Sequence, residues 1–254
     1  MNRFALNGKL ALITGASRGI GLGIARALVA SGANVILAGR DGTELERAAE
    51  ELRRVTLHVH VTQYDLSNTE GIADWFDGIC ANAGTPEILV NSAGISRRGA
   101  AIDLSLDDWD AVMTLNVKAI FELSRGFARR LIRDGREGRV INIASLMTAA
   151  ARPGTSPYTA SKGAVGQLTK ALAVEWASHG ILVNAVAPGY IATELNSTLI
   201  ADPKFDNWVK SRCPLGRWGT PDDIAGPVVF LAGPAARFIT GQVIYVDGGW
   251  LAAC

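Results

Sequence analysis

Apolar positions along the chain fall into two alternating patterns. The run Leu10-Ala-Leu-Ile13 is continuously apolar, as in a strand covered on both faces. The next stretch places Ile20, Ile24, Ala27 and Leu28 on one face of a helix. The alternation continues to the end. It predicts strands over Leu10–Thr14, Asn34–Ala38, Leu57–Tyr64, Ile88–Asn91, Arg139–Ala144, Leu182–Ala187 and Val243–Val246, with helices between them. The longest helices are expected near Asp107–Arg133 and Tyr158–Ser178, the first opened by the start signal Ser105-Leu-Asp-Asp. Such alternation predicts an α/β fold, a doubly wound parallel sheet of seven strands with helices on both faces. No repeat or linker divides the chain, so residues 1–254 read as a single domain. The segment 189–221 breaks the rhythm. It holds Trp208 and Trp218 and follows a strand's carboxyl end, so it is a candidate cover for a substrate. The alternative is a helical insertion that packs on a neighbouring subunit.

Composition narrows the class. A chain of 254 residues suffices for one large α/β domain, and 48% hydrophobic residues suit a sheet buried on both faces. A net charge of +1 gives no reason to expect a nucleic acid or an anionic membrane as partner. No apolar run nears membrane-spanning length, and the first residues lack a signal peptide's apolar core, so a cytoplasmic location is expected. Cys80, Cys213 and Cys254 are an odd, scattered set, which argues against disulfides. His58 and His60 would share a strand face, but with no third ligand nearby no metal site is expected.

Two motifs carry chemistry. Thr14-Gly-Ala-Ser-Arg-Gly-Ile-Gly21 joins a strand to a helix, the context of a dinucleotide-binding turn. Gly15 permits the tight turn, while Gly19 and Gly21 let a pyrophosphate approach the helix N-terminus. The spacing is G-x-x-x-G-x-G, and alone it also fits an ordinary glycine turn. The second motif is Tyr158-Thr-Ala-Ser-Lys162. Residues four apart share a helix face, and an ammonium beside a phenol favours its ionised form.

These motifs, with Asp65-Leu66, Asn91-Ser-Ala-Gly94, Asn116, Ser145, Asn184 and Pro188-Gly189 followed by Thr193, resemble the short-chain dehydrogenase/reductase family over essentially the whole chain. Ser92 departs from the family's usual second Asn. The resemblance implies a Rossmann fold and hydride transfer between a nicotinamide and a carbonyl or alcohol carbon. Tyr158 would then be the proton donor, Ser145 would orient the carbonyl oxygen, and Lys162 would lower the Tyr158 pKa and bond the nicotinamide ribose. Asn116 would hold a water linking Lys162 to solvent. Cofactor contacts would come from Gly15, Ser17, Arg18, Gly19, Ile20 and Gly21, from Asp65 and Leu66, from Asn91, Ala93 and Gly94, and from Pro188, Gly189, Ile191 and Thr193. The resemblance also implies a homotetramer.

Cofactor choice rests on the end of the second strand, where NAD-binding relatives place an acidic residue. Here Gly39 and Arg40 stand there, with Arg18 in the glycine loop. Two guanidiniums and no carboxylate favour a 2′-phosphate, hence NADP(H) over NAD(H). For the substrate, Arg97 and Arg98 after the fourth strand's loop and Arg152 ahead of Tyr158 could clamp a carboxylate, with Arg97 and Arg152 the preferred candidates. The surrounding text is most like the gluconate 5-dehydrogenase and 2-deoxygluconate 3-dehydrogenase group, which implies a sugar acid. An alternative is a 3-oxoacyl-carrier-protein reductase, docking an acidic carrier on the arginines at 125, 129, 130 and 133. Another class is a non-catalytic dinucleotide-binding protein.

Overall fold

The computed structural model of the protein describes residues 3–253. Seven strands form one parallel sheet: β1 (Leu10–Thr14), β2 (Asn34–Gly39), β3 (Val59–Gln63), β4 (Ile88–Asn91), β5 (Gly138–Ile143), β6 (Ile181–Pro188) and β7 (Val243–Val246). Their order is β3-β2-β1-β4-β5-β6-β7, so the direction of winding reverses between β1 and β4. Ligands bind at that switch point, beyond the carboxyl ends of the strands. β3 is shorter than its apolar pattern predicted. It lies at the sheet's edge, and Leu57 is 88% exposed ahead of it. His58 therefore falls just outside the strand that holds His60.

Helices α1 (Gly19–Ala30), α2 (Gly42–Arg53) and α9 (Pro221–Ala232) bury one face of the sheet, around Ile13, Leu28, Leu37 and Val228. The opposite face is covered by α3 (Ile72–Ala83), α5 (Ala119–Arg133) and α6 (Ser156–Trp176), around Phe76, Phe127 and Leu172. The long helix expected near Asp107–Arg133 is one rod with a flaw. Helix α4 (Leu106–Met113) passes through a π turn, Thr114–Lys118, into α5. A π turn inserts one residue and swings a side chain out of register. Here Asn116 sits on that turn and is completely buried. The helix start signalled by Ser105 is in place, and α2 has a cap of the same kind. Asp41 accepts from the Glu44 amide at 3.1 Å ahead of α2, and Ser105 accepts from the Asp108 amide at 3.1 Å ahead of α4.

Between β6 and α9 lie a 3-10 turn (Glu194–Asn196), α7 (Ser197–Ile200) and α8 (Pro203–Arg212). This is the segment expected to cover a substrate. It is anchored by aromatic rings: Tyr190 meets Phe205, Trp208 and Trp218 edge-on with centroids 5.6–5.8 Å apart. Trp250, from the far end of the chain, closes the cluster 4.7 Å from Tyr190. Such pairs add roughly 0.5–1.5 kcal/mol each beyond area burial. Among the described residues no helix is long and apolar enough to cross a membrane. Cys80 and Cys213 are buried free thiols; Cys254 lies outside the described residues.

Candidate active site

The glycine loop is shaped by close backbone approach. Gly15 has φ +64°, and a Cβ there would lie 3.0 Å from Ala93 Cα. A Cβ on Gly21 would reach 2.1 Å from the Gly15 carbonyl oxygen. Thr14 ties this loop to the next one, because its Oγ1 accepts from the amides of Ser92 (3.0 Å) and Ala93 (3.1 Å). The N-terminus of α1 carries no side-chain cap and no acidic residue in its first turn. Bare amides at a helix N-terminus, in a cradle that any Cβ would fill, fit a phosphate. Ser17, Arg18, Gly19 and Ile20 border that cradle, and Thr193 closes over it, 3.5 Å from where a Gly19 Cβ would stand.

On the adenosine side, Asp65 is exposed and Leu66 buried. Asp65 already accepts from the Ser67 amide (2.9 Å) and hydroxyl (2.8 Å). Its carboxyl is held below its ordinary value chiefly by that backbone bond, with Arg40 contributing. Arg40 is therefore within electrostatic reach of Asp65, while Arg18 pairs with Glu194 at 3.2 Å across the cradle.

Three expected cofactor contacts need revision. The Asn91 side chain faces the core, donating to Ser124 Oγ and Asn142 Oδ1, so only its main chain is available to a ligand. Ile191 is 2% exposed and packs in the core, and its carbonyl accepts from Asn196 Nδ2 at 2.9 Å. Gly189 packs against Asp247, whose Cα would lie 2.7 Å from an added Cβ. It leaves no room for a side chain beside Pro188.

The catalytic candidates converge. Ser145 follows β5 and Tyr158 opens α6, and the serine hydroxyl lies near enough to the phenol to favour its ionised form. Ser145 Oγ also accepts from the Met147 amide at 3.2 Å, which fixes its rotamer. Lys162, one turn on, is 5% exposed, lies 5.6 Å from the Tyr158 ring and donates to the Ile143 carbonyl at 2.7 Å. Burial lowers its pKa from 10.5 to about 8. Asn116 does not face water. Its side chain clamps both polar groups of the Ile95 main chain (2.9 Å each) and donates to Ser161 Oγ at 3.0 Å. Burial raises the pKa of the Tyr158 phenol, and the opposing pull comes from Ser145 and then from the charge of Arg98.

Of the two adjacent arginines at the mouth of the pocket, sequence reasoning preferred Arg97, and the structure separates them. Arg97 turns outward and pairs with Asp108 at 3.0 Å. Arg98 turns the other way. Partial burial and the neighbouring Arg152 charge lower its pKa, and Tyr190 and Tyr158 lie within its field. Arg152 is occupied on the wall of the site: it donates to the Tyr190 hydroxyl at 3.0 Å and lies 5.0 Å from the Phe205 ring. Beside it lies a cavity of about 250 Å³ lined by Leu146, Met147, Arg152, Tyr190, Trp208 and Trp250. The arginine face of α5 is largely neutralised, since Arg125 pairs with Glu122 and both Arg130 and Arg133 pair with Asp134. No group of three or more His, Cys, Asp or Glu side chains placed to hold a metal occurs among the described residues.

A phosphate cradle at the switch point, with a serine, a tyrosine and a buried lysine beside it, defines a nucleotide-dependent oxidoreductase. Residues 15–251 match the family described as enoyl-(acyl carrier protein) reductase. The chain belongs to the short-chain dehydrogenase/reductase family, whose members act on CH–OH groups. It is 43% identical over 246 residues to gluconate 5-dehydrogenase of Gluconobacter oxydans, covering 97% of this chain and 96% of that protein. It is 44% identical over 251 residues to galactitol 2-dehydrogenase (L-tagatose-forming) of Cereibacter sphaeroides, covering 97% and 96%. The crystal structure of gluconate 5-dehydrogenase from Burkholderia cenocepacia, in complex with NADP and tartrate, superposes with a TM-score of 0.96 at 40% identity, covering 100% of this chain and 99% of that one.

Proposed function

We propose that the protein interconverts a secondary alcohol and a ketone on a sugar acid of the gluconate/keto-gluconate type, with NADP(H) as cofactor. The observation that carries the reading is the placement of Arg98, a second cation within the field of Tyr158 and without an ion pair to a carboxylate among the described residues. Support for the substrate comes from the gluconate dehydrogenase relatives, and for the cofactor from Arg18 and Arg40 and from the NADP bound by the Burkholderia enzyme.

The chemistry follows from where charge develops. When bound, the cofactor exchanges a hydride with the substrate carbon. Reduction places negative charge on the carbonyl oxygen, which Ser145 hydrogen-bonds and Tyr158 protonates. Tyr158 is poorly acidic in its buried setting. It works through neighbours that stabilise the phenolate once formed: Ser145, the Arg98 charge and, one turn along, the Lys162 ammonium. With its pKa near 8, Lys162 can give up and regain a proton near neutral pH, which would suit it to resupply Tyr158, and it would also hold the cofactor's ribose. Gly15, Ser17, Gly19, Ile20 and Gly21 would hold the pyrophosphate. Arg18 and Arg40 would hold the 2′-phosphate, and Asp65 and Leu66 the adenine. Ala93, Gly94, Pro188, Gly189 and Thr193, with the main chains of Asn91 and Ile191, would border the nicotinamide half. Arg98, and not Arg97, would meet the carboxylate, with Arg152 bracing the wall.

A homotetramer and a cytoplasmic location complete the proposal. Ile102, Leu106 and Trp109 leave apolar surface at the start of α4, and Phe121 does so on α5, which suits a subunit contact. Unpaired thiols suit a reducing compartment. The test is NADPH oxidation and NADP reduction with keto-gluconates, gluconate, galactitol and an acetoacetyl thioester. Preference for the sugar acids supports the reading. Preference for galactitol would place the enzyme with its polyol relative, and preference for the thioester with the carrier-protein reductases.

A further inference from the structure

Beneath the active site, four polar side chains form a single chain of hydrogen bonds that plays no part in the chemistry above. Ser124 on α5, Asn91 on β4, Asn142 on β5 and Thr169 on α6 are each 0–2% exposed. Asn91 Nδ2 donates to Ser124 Oγ at 3.1 Å and to Asn142 Oδ1 at 2.9 Å. Asn142 Nδ2 donates to Thr169 Oγ1 at 3.0 Å, and Thr169 Oγ1 donates to the Val165 carbonyl at 2.8 Å. Asn91 and Asn142 are register partners in the sheet, so the chain crosses the layer from one helix to the other.

Buried polar groups are costly unless every member is satisfied, so apolar residues would serve stability as well here. Where they persist, fixing a unique register is their best-attested use. Helix α6 needs such a device. Its buried face mixes Val165, Leu172 and Trp176 with the small residues Ser161, Gly166 and Ala173, and a Cβ on Gly166 would fall 2.5 Å from Thr148 Cγ2. Around Gly166, where the approach is closest, small side chains present few ridges to stop the helix sliding. Thr169 lies seven residues after Lys162, two turns along the same face. Asn142 adjoins Ile143, whose carbonyl receives Lys162, and lies three residues before Ser145.

We propose that the chain Ser124–Asn91–Asn142–Thr169 sets the register of α6 on β5, and thereby the placement of Tyr158 and Lys162 against Ser145. Asn142 and Thr169 are positioning residues, fastening the helix two turns below the lysine. The proposal rests on the roles given to Tyr158, Lys162 and Ser145 but not on the identity of the substrate.

Three variants test it, each assayed with whichever carbonyl the wild type reduces best. Thr169→Ser keeps the hydroxyl and stays within about twofold of wild type. Thr169→Val orphans the Asn142 amide; its melting temperature falls, and kcat falls roughly 10- to 100-fold, the scale of a sub-ångström to 1 Å misplacement. The double variant Asn142→Leu/Thr169→Val removes the Asn142–Thr169 pair together and leaves Asn91 only its bond to Ser124, so the melting temperature recovers in part while kcat stays low. NADPH affinity, read by fluorescence, changes less than about threefold throughout. A readout that needs no turnover is the Lys162 titration, followed by NMR of the ¹³C-labelled side chain. In Thr169→Val and in the double variant it moves by about one pH unit, as the ammonium shifts within its pocket. Recovery of kcat together with stability in the double variant overturns the proposal, leaving a purely structural network. So does a loss confined to NADPH affinity, or an unmoved Lys162 titration.

Discussion

Replacing Arg98 by Ala tests the substrate reading most directly. Its guanidinium lies close enough to Tyr158 and Arg152 for their fields to act on it, and its carboxylate-pairing capacity is not taken up as that of Arg97 is by Asp108. A guanidinium and a carboxylate about 4 Å apart attract by about 4 kcal/mol at an effective dielectric near 20. Arg98 is exposed, so solvent screening cuts this to about 2 kcal/mol. That is roughly 30-fold in kcat/KM toward a keto-acid. A neutral substrate of equal size, such as the amide or the corresponding keto-polyol, gains nothing from the charge and should fall less than about fivefold. Arg97→Ala is the control: an exposed pair is worth under about 1 kcal/mol, so both substrates should hold within about fivefold. Arg152→Ala removes the bond to Tyr190 and the contact with Phe205, and should lower kcat/KM on acid and neutral substrates alike. The assay is kcat/KM for acid and neutral analogue in each variant. Equal losses on both substrates in Arg98→Ala, or a loss as large in Arg97→Ala, would refute the assignment.

Tyr158→Phe deletes the proton donor beside Ser145, so turnover should fall by roughly three or more orders of magnitude while NADPH still binds; turnover within tenfold of wild type defeats the acid/base role. Lys162→Met should be inactive yet more stable. With a folded pKa near 8 against 10.5, the unfolded chain holds the extra proton between those values, so this group's contribution to stability rises with pH across that window. At pH 7 the variant should gain roughly 1–3 kcal/mol in denaturant melts, shrinking as pH rises from 8 toward 10.5; a constant or reversed difference contradicts the argument. Arg40→Ala should raise KM for NADPH about tenfold or more and leave that for NADH nearly unchanged, and equal weakening of both cofactors would remove Arg40 from the 2′-phosphate site.

The elements that follow a repeating period were legible. Continuous apolar runs located the strands because both sheet faces are buried, and β1, β4 and β7 carry the predicted bounds. The glycine loop and the pair on α6 were readable for the same reason: each depends on spacing within one element. Asn116 was visible as a residue but not in its environment. A helical wheel gives every turn the same pitch, and the π turn that buries Asn116 has no periodic signature. Asn91 was placed at the cofactor because it ends a strand, yet its side chain is the core-facing member of a polar pair across β4 and β5.

The substrate wall was the least legible part, and the physical reason is general to this architecture. Proton chemistry sits on regular elements, so sequence spacing fixes it. Recognition sits on what connects them: the loop after β4, the turn after Ser145, the segment after β6 and the chain end around Trp250. Side chains there obey no period, and adjacent residues diverge, as Arg97 and Arg98 do. One signal was nevertheless available. Ser105 announces the start of α4, and Asp108, whose amide it caps, is an acid in the first turn. An acidic helix start close downstream of two arginines offers a partner to one of them. The arginine left without that partner is the one proposed to meet a substrate anion, so the electrostatics of a neighbouring helix start separate two residues that the loop's own sequence cannot.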